Sequence, residues 1–479
     1  MTFDEAVDFC KNTPEIAATI LMKIVQLEED LIIANTEIKR LKEIIDKDSS
    51  NSSKPPSTDN KLSKKATSKK STSKKKRGGQ QGHSGRTLKM VDNPDMVVVL
   101  EVPTCSCGRN LDTVHSSKVI KRQAFDLPEI KMMVTQFEQH TKVCPCCNSV
   151  NTRAFPKHVS ATTQYGNNLR SFMAYCNTYQ MIPYDRISEM IEDLTSHKLS
   201  NGTIYNTLSS YHEKLESYEK SIKELAHQEK VLHCDETGVN VKGDLHWIHT
   251  VSSDVMTYYM LHKKRGTIAM DEMEILPKYK GIAVHDHWRP YNKYSCKHSY
   301  CNAHHLRELN FISQSEKVLW SDNMHGLLTT INKEVYKAKT RGKTYFPKNK
   351  ITQFTQYYDA ICKGAMVYYP PPDPTTKKAR GRTAQAKGKN LLDRFVKYKE
   401  EILRFCTDFT VPFTNNLAER DLRMIKVKEK ISGTFASFKG GEMFARIRGY
   451  ISTAKKNNRS VLEELTNVLT GKPYIPGGC

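Results

Sequence analysis

Two aspartates close short apolar segments: Asp235 ends the run 231–235, and Asp286 ends 281–286. A lone Asp at a strand end is usually a turn former or a helix cap. Two of them on neighbouring strands are different, because like charges at close range need a cation or a shared proton between them. A third carboxylate, Glu419, lies in the stretch 415–420, which opens a helix running on through Leu422, Met424 and Val427. The helix dipole alone accounts for an acid in that first turn, so spacing does not by itself tie Glu419 to the aspartates. His233, Arg420 and Arg423 flank these acids and are candidates for steering phosphate groups.

Cysteines form a second constellation. Cys105 and Cys107, then Cys144 and Cys147, sit on turns followed by Gly108 and Asn148. Paired thiolates on two turns suit a tetrahedral structural zinc, with reduced free thiols as the alternative. Cys146 could stand in for a neighbour, and the first pair is tighter than the usual two-residue spacing. Cys301 and His304 also have metal-like spacing, with His298 and His305 nearby. No second cysteine pair completes that set, so packing is the expected role.

The elements that must carry these residues follow from periodicity. Residues 231–235 read as a strand, and 239–241 and 246–251 as a hairpin around Lys242, Gly243 and Asp244. A third strand at 258–261, a helix at 267–276 and a buried strand at 281–286 complete an α+β sheet. Its last strand can run parallel to the first through a right-handed crossover, presenting Asp235 and Asp286 at one edge. The interval before Glu419 is longer than the sheet needs. It reads as helical from 301 to 399 with a polar break at 369–374, and 375–399 carries nine Lys or Arg against one acid. That is a helical insertion whose basic loop faces DNA, or else a disordered surface excursion.

Upstream, residues 167–225 read as helical. Helices at 186–194 and 203–215 around the break 196–202 resemble a helix-turn-helix. Near the N-terminus, Ile20, Ile24, Leu27, Leu31, Ala34, Ile38, Leu41 and Ile45 recur at alternating steps of four and three, an a/d seam. It suits self-association, the alternative being a face laid on the protein's own core. Between them, 49–88 is low in complexity, and 60–91 holds eleven Lys or Arg and no acid. Its dense part is Lys64, Lys65, Lys69, Lys70, Lys74, Lys75, Lys76 and Arg77, either a solvated linker or a non-specific arm on DNA phosphates.

Across 479 residues, 74 Lys or Arg against 52 Asp or Glu leave a net charge of +22, which favours a polyanionic partner. No apolar run approaches the ~18 residues of a membrane span. Asp4, Glu5 and Asp8 are wrong for a secretory signal, and thirteen scattered cysteines are no disulfide framework. A reducing cytoplasm is expected, with nucleoid association when the protein is on DNA.

Six strings resemble, in order along nearly the whole chain, those of the insertion sequence 66 transposases. They are NSSKPPS at 51–57, GGQQGH at 78–83, DHWRPY at 286–291, CNAHHLREL at 301–309, NNLAER at 415–420 and ISTAK at 451–455. The chain departs from the pattern at Cys105 and Cys107, where Thr104 stands in place of an expected cysteine. The resemblance implies a coiled-coil segment, a zinc-finger module and an RNase H-like catalytic domain whose DDE triad falls on Asp235, Asp286 and Glu419.

The implied organisation is a coiled-coil helix at 1–48, a basic linker at 49–92, a zinc-ribbon-like module at 93–158 and a helical DNA-binding region at 159–228. A catalytic domain follows at 229–440, with its helical insertion at about 297–400, and a helical tail at 441–479. The implied partners are element-end and target DNA, a second copy of the chain through the N-terminal helix, and the small accessory proteins encoded beside some relatives. The implied reaction is two-metal strand cleavage and transfer with Mg2+ or Mn2+, Asp235 and Asp286 bridging two ions and Glu419 completing the second. A structure-specific nuclease without strand transfer and a non-catalytic zinc-containing DNA-binding regulator are the alternatives.

Overall fold

The computed structural model describes residues 7–8, 11–45, 88–370 and 385–477. The basic residues from Lys64 to Arg77, the first two motif strings and residues 375–384 of the basic loop lie outside the described residues.

Helix α1 (Pro14–Ile45) carries the a/d seam on one continuous helix. The seam does not rest on the protein's own core: Leu27 is 65% exposed, and Ile24, Leu31 and Leu41 are exposed with it. From 88 to 166 most of the chain is in neither helix nor strand. Its paired strands, among the described residues, are β1 (Thr141–Val143) and β2 (Val150–Thr152), which are antiparallel. The alternating residues Val97, Val99, Ile130 and Val134 stand exposed and outside any strand.

Four helices follow: α2 (Asn167–Ala174), α3 (Tyr184–Thr195), α4 (Asn201–Lys214) and α5 (Glu216–Gln228). Ser196 ends α3 in the left-handed region at φ 55°. Ser200 caps α4, its Oγ accepting from the Thr203 N–H at 3.1 Å.

The sheet comes next, with β3 (Val231–Val241), β4 (Asp244–Ser252), β5 (Thr257–His262), α6 (Thr267–Glu272), β6 (Ile282–His285) and β7 (Lys297–Tyr300). Its order is β5-β4-β3-β6-β7. Lys242 and Gly243 both have positive φ, 53° and 93°, the backbone that a two-residue hairpin turn requires. As the sequence predicts, β3, β4 and β5 are antiparallel and β6 returns parallel to β3. One strand differs from the reading: Lys297–Tyr300 pairs in parallel with β6 and extends the sheet, so the helical excursion begins only after it.

That excursion is α7 (Asn302–Glu316), α8 (Leu319–Thr340), α9 (Lys348–Ala365), α10 (Lys387–Lys397) and α11 (Lys399–Thr407). Its apolar faces close over one side of the sheet, where Leu309, Leu328, Phe395 and Phe405 share a core with Val284 and Tyr300. The chain ends in α12 (Asn416–Ser432), α13 (Phe438–Lys456) and α14 (Val461–Leu469). A Cβ on Gly449 would stand 3.2 Å from the Thr257 carbonyl oxygen, and one on Gly441 would stand 2.5 Å from the Leu261 side chain. Those two glycines let α13 lie close against β5.

The helices of 167–228 are part of the same body as the sheet. Met173, Ile204 and Tyr211 share one core with Cys234 and Val251 of the sheet and with Ile447 and Leu465 of the C-terminal helices. Tyr211 is fully buried, and its hydroxyl donates to the Leu465 carbonyl at 3.0 Å. Helical periodicity shows which face of 167–228 is apolar but not that distant strands and helices cover it. The result is a mixed α/β structure with helices on both faces of a mixed sheet.

Candidate active site

The pairing of β3 with β6 sets the two aspartates level. His233 lies opposite Val284, and Asp235 and Asp286 each follow two residues later, Asp235 still within β3 and Asp286 just past the end of β6. The parallel ladder ends before them, so both carboxylates leave the same sheet edge. Asp235 Oδ1 accepts from the Glu236 N–H at 2.9 Å. Asp286 Oδ1 accepts from the Trp288 N–H at 3.0 Å, a turn that leads into the short helix Arg289–Lys293.

Glu419 reaches this edge because Asn415 fixes where its helix begins. Asn415 Nδ2 donates to the Cys234 carbonyl at 2.8 Å. His233 Nδ1 donates to Asn415 Oδ1, also at 2.8 Å. The Asn415 N–H meets the Cys301 sulfur at 3.1 Å. An Asn before a helix normally caps it with its side chain; Asn415 makes no such cap and instead ties α12 to β3. Glu419 follows one turn later.

The electrostatics couple these acids. The Asp235 carboxyl is pushed well above its ordinary range, first by burial, then by the charges of Glu236, Asp286 and Glu419. Like charges gathered at one edge favour a bound cation or a retained proton. The Glu419 Oε1 atom is itself buried without a hydrogen-bond partner.

Glu236 points the other way and is fixed there. Its side chain is 1% exposed. Arg265 donates to its Oε1 from Nε at 2.9 Å and from Nη2 at 2.7 Å, and the Tyr291 hydroxyl donates to its Oε2 at 2.6 Å. The Arg265 guanidinium lies between Trp247 and Trp288, at 4.8 and 4.2 Å from their ring centroids. Burial is the main cause that raises the Glu236 carboxyl, opposed by the Tyr291 and Arg265 contacts. The motif after Asp286 therefore supplies Trp288 and Tyr291 to a support beneath the aspartates. Sequence reasoning missed Glu236, Arg265 and Asn415, whose partners lie far away in the chain.

Other sequence candidates sort by environment. Arg420 and Arg423 are exposed on α12. His233 is buried against Asn415, and burial lowers its pKa, so it is a neutral support and not a phosphate contact. Asp421, the other acid of this helix turn, is engaged away from the aspartates, its Oδ2 accepting from Ser252 Oγ at 2.7 Å and from Lys456 Nζ at 2.8 Å.

Each cysteine pair sits on a formed turn. The Gly108 N–H donates to the Cys105 carbonyl at 2.8 Å, and the Asn148 N–H to the Cys144 carbonyl at 2.9 Å. Hydrogen bonds within the turns lower the thiols of Cys105, chiefly from the Cys107 backbone, and of Cys147, chiefly from Ser149. The two pairs are not gathered around a common point. Among the described residues, the group of three ligand atoms lying within 4.8 Å of one another is Cys301, His304 and Glu419. His298 and His305 take no part, His298 meeting His285 at 3.0 Å and His305 meeting Asn302 at 3.1 Å. His298 and His305 are thus engaged with protein partners, while Cys301 and His304 meet Glu419.

No described helix is long and apolar enough to cross a membrane. A family model described as "Transposase IS66 family" matches residues 162–443, more than half of the chain. A second, "Family of unknown function (DUF6444)", matches residues 11–89. No curated protein matches. Among solved structures, a chain of "CryoEM structure of simian T-cell lymphotropic virus intasome in complex with PP2A regulatory subunit B56 gamma" is similar at 10% identity. The match covers 45% of this chain and 80% of that one with a TM-score of 0.13, a likeness too slight to bear on fold or function.

Proposed function

The chain belongs to the transposase IS66 family, and from that premise we propose that it cuts and joins DNA ends at Asp235, Asp286 and Glu419. The observation that carries this reading is the level placement of Asp235 and Asp286 beyond the paired part of two parallel strands, with Glu419 near enough to raise the Asp235 carboxyl. The strand order and the parallel return of β6 support an RNase H-like catalytic domain at 229–440.

Hard carboxylate oxygens suit Mg2+ or Mn2+. Bound there, two such ions would activate the attacking oxygen and stabilise the leaving oxygen of an in-line displacement. The chain's own part is to hold Asp235 and Asp286 at one edge, to fix Glu419 through Asn415, and to keep Glu236 neutralised by Arg265. Arg420 and Arg423, exposed on the same helix as Glu419, approach the phosphates. The basic tract containing Lys64, Lys65, Lys69, Lys70, Lys74, Lys75, Lys76 and Arg77 adds affinity without sequence choice, since phosphate contacts carry no base information.

The remaining modules keep supporting roles. The exposed seam of α1 pairs with a second copy of the chain. The α3–α4 unit reads element-end DNA in the manner of a helix-turn-helix. The two cysteine turns draw together around a structural zinc, which the lowered thiols of Cys105 and Cys147 favour.

The test is a nicking and joining assay with Mg2+ on DNA carrying the ends of the element that encodes the chain. Cleaved and joined products are expected. Nicking without joining would leave a structure-specific nuclease, and binding without nicking a DNA-binding regulator.

A further inference from the structure

Cys301, His304 and Glu419 are drawn together by two helix starts. Cys301 precedes the first residue of α7, and His304 follows three positions on, a spacing that places both on one helical face. Glu419 arrives from the first turn of α12. Asn415 serves both sides: its N–H donates to the Cys301 sulfur at 3.1 Å, while its side chain anchors the helix that carries Glu419. One ligand atom from each residue lies within 4.8 Å of the other two.

Two of those residues carry an unmet need. His304 Nδ1 and Glu419 Oε1 are both buried without a hydrogen-bond partner. Buried polar atoms in native structures nearly always have one, and two orphans on residues of one three-ligand group indicate a missing ligand. Cys301 is buried beside them at 1% exposure, while His304 and Glu419 keep part of their surface open for entry.

The donor set differs from that of the aspartates. A thiolate, an imidazole and a carboxylate match the three protein ligands of an open zinc site, with bonds of about 2.3, 2.0 and 2.0 Å. Sulfur is a poor ligand for Mg2+, which prefers oxygen and keeps its waters. Ligands around a tetrahedral ion stand closer together than 4.8 Å, so small side-chain rotations suffice.

We propose that Cys301, His304 and Glu419 form a second metal site, selective for a borderline divalent ion of the zinc type over Mg2+. Its occupation withdraws Glu419 from Asp235 and Asp286. That withdrawal rests on the proposed role of Glu419 in DNA cleavage; the metal site itself does not. Binding displaces the Cys301 proton to solvent, leaving a metal-bound thiolate.

The experiment is a Co2+ titration of the full chain without DNA, followed through the thiolate-to-cobalt absorption band in the near ultraviolet. The chains compared are the parent, Cys301→Ser, His304→Gln, Cys144→Ser and Asp235→Asn. Cys301→Ser and His304→Gln are each expected to lose about one equivalent of bound Co2+ relative to the parent. Asp235→Asn and Cys144→Ser should keep the component that Cys301→Ser removes, and a large excess of Mg2+ should not displace it. His304 is partly exposed, so His304→Gln tests the site even if Cys301→Ser folds poorly. Equal Co2+ binding by the parent and His304→Gln would overturn the proposal and assign the gap to an ordered water. Because the titration contains no DNA, a parent that fails to nick DNA leaves this result readable.

Discussion

Asn415 donates its side-chain amide to the carbonyl of Cys234 at 2.8 Å, one residue before Asp235 and one helical turn before Glu419. The spacing of the third acid from the first therefore depends on a side chain that carries no charge. Asn415→Ala leaves the Cys234 carbonyl and His233 Nδ1 without their partner, at a cost of about 1–3 kcal/mol for each buried group. Thermal melting should fall by several degrees, and nicking by more than the loss of folded protein explains. DNA binding measured below the melting range should stay near the parent's. Nicking at the parent's rate would show that Asn415 does not position Glu419.

Glu419 and Asp421 are two residues apart and should separate cleanly. Asp421 pairs with Lys456 at 2.8 Å with both side chains largely buried, and it also accepts from Ser252. Asp421→Asn should cost stability, up to about 3–5 kcal/mol for a broken buried pair, and leave the chemistry of the folded fraction intact. Glu419→Gln should do the reverse, abolishing nicking at unchanged or slightly raised melting temperature. Urea unfolding beside the nicking assay measures both, and a stable but inactive Asp421→Asn would reverse the assignment.

Arg265 should matter through Glu236. Arg265→Met strands a carboxylate that is 1% exposed. Because Arg265 is itself partly exposed, the loss should fall near the lower end of about 3–5 kcal/mol. Adding Glu236→Gln should recover much of it, since a neutral amide is cheaper to bury than an unpaired charge. A double-mutant cycle by urea unfolding gives the coupling, and additive losses would mean the pair is not energetically linked.

Much of this arrangement was legible in the sequence, for identifiable reasons. The apolar runs and the Lys242–Gly243 turn locate β3, β4 and β6, and parallel pairing then sets Asp235 and Asp286 level. Strand β7 was not legible, because Lys297, His298, Ser299 and Tyr300 show no apolar alternation and pair only by lying beside β6. Asn415 reads as an ordinary helix cap, and nothing local reveals that its side chain goes to β3. Arg265 and Glu236 are joined by folding alone. Cys301 and His304 show a shared helical face, but the third ligand comes from a helix more than a hundred residues on.

Acid should destabilise the protein through buried histidine. His212 Nε2 accepts from Arg446 Nη1 at 3.1 Å, which requires the neutral ring. Burial first, then Arg446 and Lys439, push its pKa from 6.5 down to about 4. Near pH 5 the unfolded chain binds this proton and the folded chain does not, so falling pH favours unfolding. Stability should be flat in this term above pH 6.5 and decline from there towards about 4. Melting curves across that window should show the decline, reduced in His212→Gln. An equal decline in the variant would move the effect to other groups.

The central claim is that Asp235, Asp286 and Glu419 act as one unit in the chemistry of DNA strand cleavage and joining. The most direct measurement is Mg2+-dependent nicking and joining on element-end DNA by Asp235→Asn, Asp286→Asn and Glu419→Gln, with DNA binding titrated for each. All three should bind DNA at least as tightly as the parent, because each removes a negative charge near phosphate, and all three should yield no nicked or joined product. A Glu419→Gln chain that cuts and joins like the parent while Asp235→Asn is inactive would contradict the claim.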